Sequence, residues 1–321
     1  MYKNDQIWKK VQSYLPLQNR LYTNIEPEEQ FLQLRKGNRI HLDVYSPSSP
    51  KATVILLHGV GGNGRLLSFL AVPLFKSGYK VICPDMPLYG YSEYIGTINY
   101  DTWVQNAVEI TEHYAEEKLP MFLFGLSAGG MLAYQVACQV SGIRGVLATC
   151  ILDQRQNIVR ERTASNPYLV RIGLPVMDYT RKRLPNFRIP MKWVANMKAI
   201  VNNKELAKLL MEDERSSGAK ITLDFLYTML NPKVMIEPGD FKTPFILLHP
   251  ENDLWTSIAL SYLFYDKLGC EKEMHLLAGA GHFPIEEQGL RILVEKSLAF
   301  MGKHQHNLPM PTDRNRNAWS G

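Results

Sequence analysis

The chain has 321 residues, of which 45% are hydrophobic and 21% are charged, and its formal net charge is +5. This composition excludes a disordered chain and a coiled coil, and the mild charge gives no indication of nucleic-acid binding. A chain of this length can bury one large core that carries an insertion, as α/β enzymes often do.

The first 27 residues are expected to form an N-terminal extension with a helix over residues 4–14 that packs on the body or the cap. Residues 1–6 lack the basic and then apolar pattern of a secretory signal. No apolar run approaches the ~18 residues that are needed to span a bilayer. We therefore expect a cytoplasmic protein.

The four cysteines are widely scattered among apolar neighbours, and they lack the paired spacing of a zinc site or a disulfide framework. We predict that they are buried thiols. They are Cys83, Cys138, Cys150 and Cys270.

Alternating apolar residues at 31–34 and 40–45, broken at Lys36-Gly37-Asn38, predict an antiparallel hairpin. The pattern then changes to short runs that are apolar on both faces, as in buried parallel strands. These runs lie at 53–57, 80–83, 121–124 and 145–151, and segments of helical length separate them at 65–77, 101–117 and 128–140. The alternation predicts an α/β fold with a mostly parallel central sheet and helices on both faces.

The alternation stops from residue 153 to residue 238, where helical pieces occur at 192–201, 204–213 and 222–230 without a convincing strand. The alternation resumes with strands at 244–249 and 273–277 and helices at 256–268 and 285–301. Gly302 is expected to end the helix at 285–301. We therefore predict an α/β core, 28–152 and 239–303, interrupted by an all-helical cap, 153–238. Residues 304–321 are expected to form a flexible tail, with His304 and His306 as solvated side chains rather than metal ligands.

The sequence Gly125-Leu126-Ser127-Ala128-Gly129 lies directly between a predicted strand and a predicted helix. A sharp strand-to-helix turn exposes the serine oxygen, and its strained backbone tolerates only small residues beside the serine. A serine hydroxyl is a poor nucleophile unless a base lies within hydrogen-bond reach. We predict Ser127 as a catalytic nucleophile.

The base and its orienting acid are expected after later strands, because chains with this turn carry the order serine, acid, histidine. His282 follows the strand at 273–277, and Asp253 follows the strand at 244–249, with Glu251 and Asp240 as competitors. All three predicted groups lie at carboxyl ends of strands, the edge where ligands bind in open α/β sheets. His58 is predicted to hold a loop rather than to titrate, and His275 to be packed or exposed.

Two backbone amides are expected to stabilise a developing oxyanion. One is the N–H of Ala128, which follows the predicted nucleophile. The other is the N–H of Val60 in Leu57-His58-Gly59-Val60-Gly61-Gly62, where glycines let the backbone approach a substrate closely.

These features together resemble the α/β-hydrolase superfamily over residues 31–301. The run from His58 to Arg65 and the long cap are similar to the monoglyceride lipase and lysophospholipase branch, and Asp85-Met86-Pro87-Leu88-Tyr89-Gly90-Tyr91-Ser92 resembles the superfamily's loop after its fourth strand. The sequence departs from the pattern with Leu88 where glycine is common, Leu126 where histidine often precedes the serine, and Gly62-Asn63 where the branch often has Glu-His.

The resemblance implies a carboxylic ester hydrolase that needs no metal or cofactor, acting through an acyl-enzyme on Ser127. A monoacylglycerol or a lysophospholipid-like ester is the expected substrate, in contact with Leu126, Met177, Phe187, Trp193 and Phe283. Three alternatives stay open: a hydrolase of amides, lactones or carbon–carbon bonds, an acyltransferase, and a non-catalytic receptor that reuses the fold.

Basic residues are concentrated in one part of the cap: residues 153–192 contain nine arginines and lysines against three acids. A solvated helical face is one interpretation. The other is an interfacial element whose arginines meet anionic lipid headgroups while Met177, Phe187 and Trp193 accompany an acyl chain into the site.

Overall fold

The computed structural model describes residues 1–21 and 25–306. An eight-stranded sheet forms the centre of the molecule, and two further short strands pair with each other. The strands are β1 Glu28–Gln33, β2 Arg39–Tyr45, β3 Thr53–Leu57, β4 Lys80–Pro84, β5 Met121–Gly125, β6 Ile143–Ala148, β7 Arg188–Pro190, β8 Lys220–Thr222, β9 Phe245–Pro250 and β10 Lys272–Leu277.

The strand order of the central sheet is β1-β2-β4-β3-β5-β6-β9-β10. The hairpin of β1 and β2 is antiparallel, with Phe31 opposite His41, and β2 also runs antiparallel to β4. All other neighbouring strands of this sheet are parallel. The predicted α/β class, with its mostly parallel sheet and N-terminal antiparallel hairpin, is confirmed.

The central strands are covered on both faces, which explains their continuous apolar sequences. Every residue of β3 and of β5 is buried. Burial on both sides removes the alternation of apolar and polar residues that a half-exposed strand shows. These strands end at the edge that carries the candidate site.

The helices are α1 Gln6–Gln12, α2 Ser68–Lys76, α3 Tyr100–Ala115, α4 Ala128–Ala137, α5 Asn157–Thr163, α6 Pro167–Arg181, α7 Met191–Val194, α8 Lys204–Glu212, α9 Leu223–Leu230, α10 Ile258–Tyr265 and α11 Glu287–His304. Helices α5 to α9 belong to the proposed cap, residues 153–238, which connects β6 to β9. Because β6 and β9 are neighbours in the sheet, the cap leaves the sheet and returns to it at the same place.

The expectation that the cap contains only helices is wrong. Strands β7 and β8 pair antiparallel, with Arg188 opposite Thr222 and Ile189 opposite Ile221. Each strand has three residues, too few for an alternating pattern to stand out from the surrounding sequence.

Two predicted helix limits are also wrong. The segment 192–201 divides into α7 and a 3₁₀ turn at Met197–Ala199, because Ala195 between them is extended and bridges to Ala164. Helix α11 continues through Gly302 to His304. A glycine in a helix interior costs about 1 kcal/mol but ends a helix only when it adopts a left-handed conformation.

The predicted tail therefore begins later than residue 304. His304 is buried in the last turn of α11, where its ring lies 4.6 Å from that of Phe300, measured between ring centroids. The expectation of a solvated His304 is wrong. Residues 307–321, which make up most of the predicted tail, lie outside the described residues.

The N-terminal extension packs against both the core and the cap. Asp5 caps α1 by accepting the N–H groups of Ile7 and Trp8, and Trp8 is buried. The hydroxyl of Tyr14, just beyond α1, donates to Glu205 of the cap at 3.4 Å. Helix α1 is shorter than the helix predicted over residues 4–14. Residues 22–24 of the extension lie outside the described residues.

A buried ionic cluster joins this extension to the sheet. The Tyr2 hydroxyl lies 3.0 Å from each carboxylate oxygen of Asp85. His41 lies between two acids, with Nδ1 3.0 Å from Asp85 and Nε2 3.2 Å from Glu29. Burial opposes the charged form of His41, but its bonds to these acids outweigh burial and raise the pKa of His41 to about 9.

Cys83 and Cys150 are buried, whereas Cys138 and Cys270 are half-buried, so full burial was predicted correctly for two of the four thiols. Of the helices in the described residues, none has both the length and the apolar character to cross a membrane. The cytoplasmic location stays a prediction.

Candidate active site

The turn between β5 and α4 holds Ser127 in a strained conformation. Its φ of 56° and ψ of −125° lie in a region that residues with a side chain rarely adopt, at a cost of about 1–3 kcal/mol. A Cβ at Gly125 would overlap the carbonyl oxygen of Gly129, and one at Gly129 would overlap that of Leu57. Gly125 is therefore required for the turn itself, and Gly129 for its packing against β3.

Neighbouring strands hold this turn in place. Leu126 donates its N–H to the carbonyl of Leu57 at 3.0 Å. The N–H of Ser127 is donated to the hydroxyl of Thr149, just after β6, at 3.1 Å. Because these bonds come from the strands on either side of β5, the position of Ser127 is set by the sheet.

The structure brings Ser127, His282 and Asp253 into one hydrogen-bonded chain. Nε2 of His282 lies 2.8 Å from Oγ of Ser127, and Nδ1 of His282 lies 2.8 Å from Oδ2 of Asp253. A carboxylate accepts only, so we assign the proton of the neutral imidazole to Nδ1 and the acceptor role to Nε2. His282 can therefore take the hydroxyl proton of Ser127.

The carboxylate of Asp253 is fixed by the residues that follow it. Oδ1 accepts the N–H groups of Trp255 and Thr256 at 2.8 Å each, and Oδ2 accepts the Thr256 hydroxyl at 2.7 Å. Burial raises the pKa of Asp253, but the charge and hydrogen bond of His282 and the bonds from Thr256 outweigh burial and lower it to about 2. Asp253 is thus ionised at neutral pH.

The other acids and histidines named from the sequence lie elsewhere. Glu251 is exposed and accepts the N–H of Gly279 at 2.9 Å, and Asp240 is exposed in a 3₁₀ turn. His275 lies on the edge strand β10, with Nε2 3.3 Å from Glu273.

The loop after β3 lies directly against the Ser127 turn. A Cβ at Gly59 would lie 3.0 Å from the nitrogen of Ala128 and 2.9 Å from Cβ of Ser127. This close approach places the loop that contains Val60 beside the start of α4. Val60 and Ser127 both line the two cavities described below.

His58 ties this loop to the loop after β4. Its Nε2 accepts the N–H of Met86 at 2.9 Å, so Nδ1 carries the proton and donates to the carbonyl of Gly59 at 2.8 Å. Burial lowers the pKa of His58, which keeps the imidazole neutral. With both nitrogens bonded to backbone groups, His58 has the loop-holding position predicted for it.

A large cavity opens from Ser127 towards the cap. It has about 990 Å³ of empty space, which includes open solvent at its mouth. Its described walls are mostly apolar and include Val60, Ala128, Met131, Leu174, Met177, Met191, Val194, Leu226, Met229 and Trp255. Flexible methionine side chains adapt to ligands of different shape.

A smaller cavity of about 390 Å³ lies on the other side of Ser127, against His282. Leu126 and Phe283, two of the predicted contact residues, are in its wall. Met177 lines the large cavity. The five predicted contact residues are thus divided between two cavities and the surface.

Phe187 and Trp193 are not among the described residues in the wall of either cavity, and their contact with substrate stays a prediction. Their side chains are 58% and 64% exposed. Trp193 lies on α7 two residues after Met191, which lines the large cavity. Two residues along a helix correspond to a rotation of about 200°, so Trp193 points away from the cavity that Met191 faces.

Residues 48–289, about three quarters of the chain, match the family described as serine aminopeptidase, S33. The chain belongs to this family of α/β hydrolases. This match confirms the resemblance to the α/β-hydrolase superfamily that was inferred from the sequence.

Solved structures of several hydrolases share the fold of this S33 hydrolase. A soluble variant of monoglyceride lipase from Saccharomyces cerevisiae is 18% identical, with 91% of this chain and 99% of that chain covered and a TM-score of 0.71. The monoacylglycerol lipase of Paleococcus ferrophilus is 21% identical, covering 81% and 99%, with a TM-score of 0.60. A carboxyl esterase from Bacillus coagulans is 16% identical, covering 87% and 99%, with a TM-score of 0.64.

A nonribosomal peptide synthetase of Aspergillus flavus is 24% identical to this S33 hydrolase over 117 residues. The matched region is 36% of this chain and 2% of the synthetase, so the chain spans a small part of that relative's length.

Two residues of the site were missed from the sequence. Thr256 bonds Asp253, and the ring of Trp255 lies 4.8 Å from the His282 ring between centroids. The signal is Asp253 itself, because an aspartate in a loop often accepts N–H groups two and three residues later. This pattern would have favoured Asp253 over Glu251 as the orienting acid.

Proposed function

We propose that this S33 hydrolase cleaves carboxylic esters through an acyl-enzyme on Ser127. The observation that carries the proposal is the hydrogen-bonded chain from Ser127 through His282 to Asp253, with 2.8 Å at both links, beside a large apolar cavity. A serine activated by a base that an acid orients is the recurring arrangement for acyl transfer.

In the first half of the reaction, Oγ of Ser127 bonds to the ester carbonyl carbon while Nε2 of His282 takes the hydroxyl proton. Asp253 stabilises the imidazolium that results. The N–H groups of Val60 and Ala128 donate to the oxyanion, and the loss of one such donor costs about 3 kcal/mol of transition-state stabilisation. The carbon–oxygen bond to the alcohol then breaks, and His282 returns the proton to the departing oxygen.

In the second half, water attacks the acyl carbon of the ester on Ser127 while His282 takes a proton from the water. The bond to Oγ breaks, His282 returns the proton to Oγ, and the carboxylic acid leaves. Every proton transfer uses the same imidazole, so the sequence of steps needs the Asp253 hydrogen bond throughout.

The walls of the cavities favour an apolar acyl ester over a peptide with a free amino terminus, although the family is described by its aminopeptidase activity. An ammonium group taken into a cavity needs an acidic partner to offset its lost hydration. Among the described residues lining the two cavities, none is an aspartate or a glutamate. We therefore assign the large cavity to a medium or long acyl chain.

Labelling with a fluorophosphonate and hydrolysis of nitrophenyl esters of graded chain length test the proposal together. We expect stoichiometric labelling that Ser127→Ala abolishes and Ser13→Ala, a change at an exposed serine outside the site, leaves intact. Wild-type protein that neither labels nor releases the acid would contradict the proposal. Transfer of the acyl group to an added alcohol in preference to water would instead support the acyltransferase alternative.

We further propose that the outer surface of the cap contacts anionic lipid. Exposed apolar side chains occur there among exposed basic ones, as in elements that bind at a membrane interface. The apolar side chains are Val176, Tyr179, Leu184, Phe187 and Trp193, and the basic ones are Lys182, Arg183, Arg188 and Lys192.

Arg181 lies beside Lys182 and Arg183 in the sequence, but its contacts are with other residues of the cap. Its guanidinium pairs with Asp224 at 2.7 Å and Asp178 at 3.0 Å, and it stacks over Tyr227. Lys182 also pairs with Asp178, at 2.8 Å, but its side chain is 63% exposed against 23% for Arg181, so lipid binding should depend on Lys182 and Arg183 rather than on Arg181. We expect neutralisation of both residues to glutamine to weaken binding to phosphatidylserine vesicles roughly 30-fold, each charge contributing about 1 kcal/mol. Neutralising Arg291 and Lys296 on α11 is the charge-matched control, and equal losses in both variants would contradict the proposal.

A further inference from the structure

The two cavities meet at the Ser127 hydroxyl and divide the space around a bound ester. Ser127 and Val60 are in both walls. Ala128, Trp255 and Thr256 line the large cavity, whereas His282 and Phe283 line the small one. An ester carbonyl held at Ser127 therefore has one substituent in each cavity.

The direction of proton transfer decides which substituent lies where. In the proposed ester hydrolysis, on which this inference rests, Nε2 of His282 must reach the oxygen of the departing alcohol. His282 is in the wall of the small cavity and not among the described residues of the large one. The alcohol is thus placed in the small cavity and the acyl chain in the large cavity.

The small cavity has an apolar wall. Besides Ser127 and His282, its described lining consists of the apolar side chains of Val60, Leu66, Leu67, Leu126, Ile200, Leu210 and Phe283, the polar side chains of His58 and Asn63, and the backbone of Gly59, Gly61 and Gly62. Both nitrogens of His58 are bonded to backbone groups. Asn63 is 2% exposed, its Oδ1 accepts the N–H of Leu66, and its Nδ2 donates to the carbonyl of Arg215.

We propose that the alcohol half of the substrate is small and apolar and carries no free hydroxyl groups. A substrate hydroxyl that enters the small cavity would lose its hydrogen bonds to water. The polar side chains of the wall are already bonded to the protein. Each hydroxyl buried without a partner costs roughly a factor of ten or more in binding.

This inference separates the chain from the monoglyceride lipases that share its fold. The loop after β3 offers little to a glycerol hydroxyl, because Gly62 has no side chain and the Asn63 side chain is bonded to neighbouring backbone. Cap residues Ile200 and Leu210 supply the apolar wall opposite this loop.

The test compares propyl and 1-glyceryl esters of one fatty acid, because the two alcohols share a three-carbon skeleton. We expect kcat/KM to be at least tenfold higher for the propyl ester, after each value is divided by the rate of alkaline hydrolysis. Equal values, or a preference for the glyceryl ester, would overturn the inference and leave the proposed ester hydrolysis standing. Turnover of neither ester, nor of nitrophenyl esters, would overturn both.

A polar side chain introduced into the small cavity should change the preference. We expect Ile200→Gln to narrow the propyl-to-glyceryl ratio at least threefold, because the amide can pair with a glycerol hydroxyl. Met177→Gln, the same polar group placed in the large cavity, should slow both esters and leave the ratio unchanged. Leu66→Gln serves as a second variant if fluorophosphonate labelling shows that Ile200→Gln lacks an intact site. An unchanged ratio in a variant that labels normally would contradict the inference.

Discussion

The hydroxyl of Thr256 donates a 2.7 Å hydrogen bond to Oδ2 of Asp253, the oxygen that also accepts Nδ1 of His282. One carboxylate oxygen thus receives a fixed donor and the imidazole of His282. The geometry makes Thr256 a positioning residue, since it sets the direction in which Asp253 faces His282.

Replacement of Thr256 by valine should therefore lower kcat/KM about tenfold, the usual effect of losing one hydrogen bond to a charged group. Thr256→Ser should restore most of the activity, because it keeps the hydroxyl. Rates of ester hydrolysis at saturating and at limiting substrate concentration give kcat and kcat/KM for each variant. Equal losses in the valine and serine variants would show that packing, not the hydrogen bond, is responsible.

Replacement of Asp253 by asparagine should lower kcat by about 10⁴, because the amide favours the wrong tautomer of His282. Glu251→Gln is the matched control and should keep nearly full activity, since Glu251 bonds only the Gly279 N–H among the contacts described for its side chain. A large loss in the Glu251 variant with little loss in the Asp253 variant would reverse the assignment of the acid.

His41 should make stability depend on pH above neutrality. Its pKa is raised to about 9 in the folded protein from an ordinary value of 6.5, so its contribution is complete below pH 6.5 and is lost as pH rises through 9. The loss amounts to at most about 3 kcal/mol. Urea unfolding at pH 6, 7.5 and 9 measures it. The His41→Gln variant should show a flatter profile over this range, and a slope equal to that of the wild type would contradict the account.

Loss of the Tyr2 hydroxyl should weaken the attachment of the N-terminal extension. Tyr2→Phe removes one donor to the buried Asp85 carboxylate, which keeps the N–H groups of Gly64 and Tyr91, and should destabilise the protein by about 1–3 kcal/mol. Tyr14→Phe removes a 3.4 Å bond in an exposed setting and should cost well under 1 kcal/mol. The melting temperatures of the two variants provide the comparison, and the same small shift in both would show that the Tyr2 bond does not stabilise the fold.

The features predicted well from the sequence are those with a strong local signal. Continuous apolar runs gave β3 and β5, and the chain order of serine, acid and histidine led to three residues that the structure brings together, whose catalytic roles stay predictions. The strands β7 and β8 were missed because three residues carry no periodicity. Phe187 and Trp193 are exposed on the cap, and their exposure was not foreseen because apolar residues in a cap can face either the site or the solvent, which composition does not distinguish.

The division of the site into two cavities had no local signal at all. Leu66, Ile200 and Phe283 lie far apart in the sequence and meet only when the cap folds over the loop after β3. The carbonyl of Ile200 accepts the N–H of Phe283 at 3.0 Å, so the cap and the His282 loop are joined beside the small cavity. Such long-range contacts follow from the tertiary fold.

The most direct test of the central claim is mass spectrometry of the protein quenched in acid during turnover of a nitrophenyl ester. The account predicts an added mass equal to the acyl group on the peptide that contains Ser127, and none in Ser127→Ala. The acyl-enzyme should build up in His282→Gln only slowly, because the base is gone. Continued hydrolysis by Ser127→Ala at the wild-type rate, or an acyl group attached to another residue, would contradict the account.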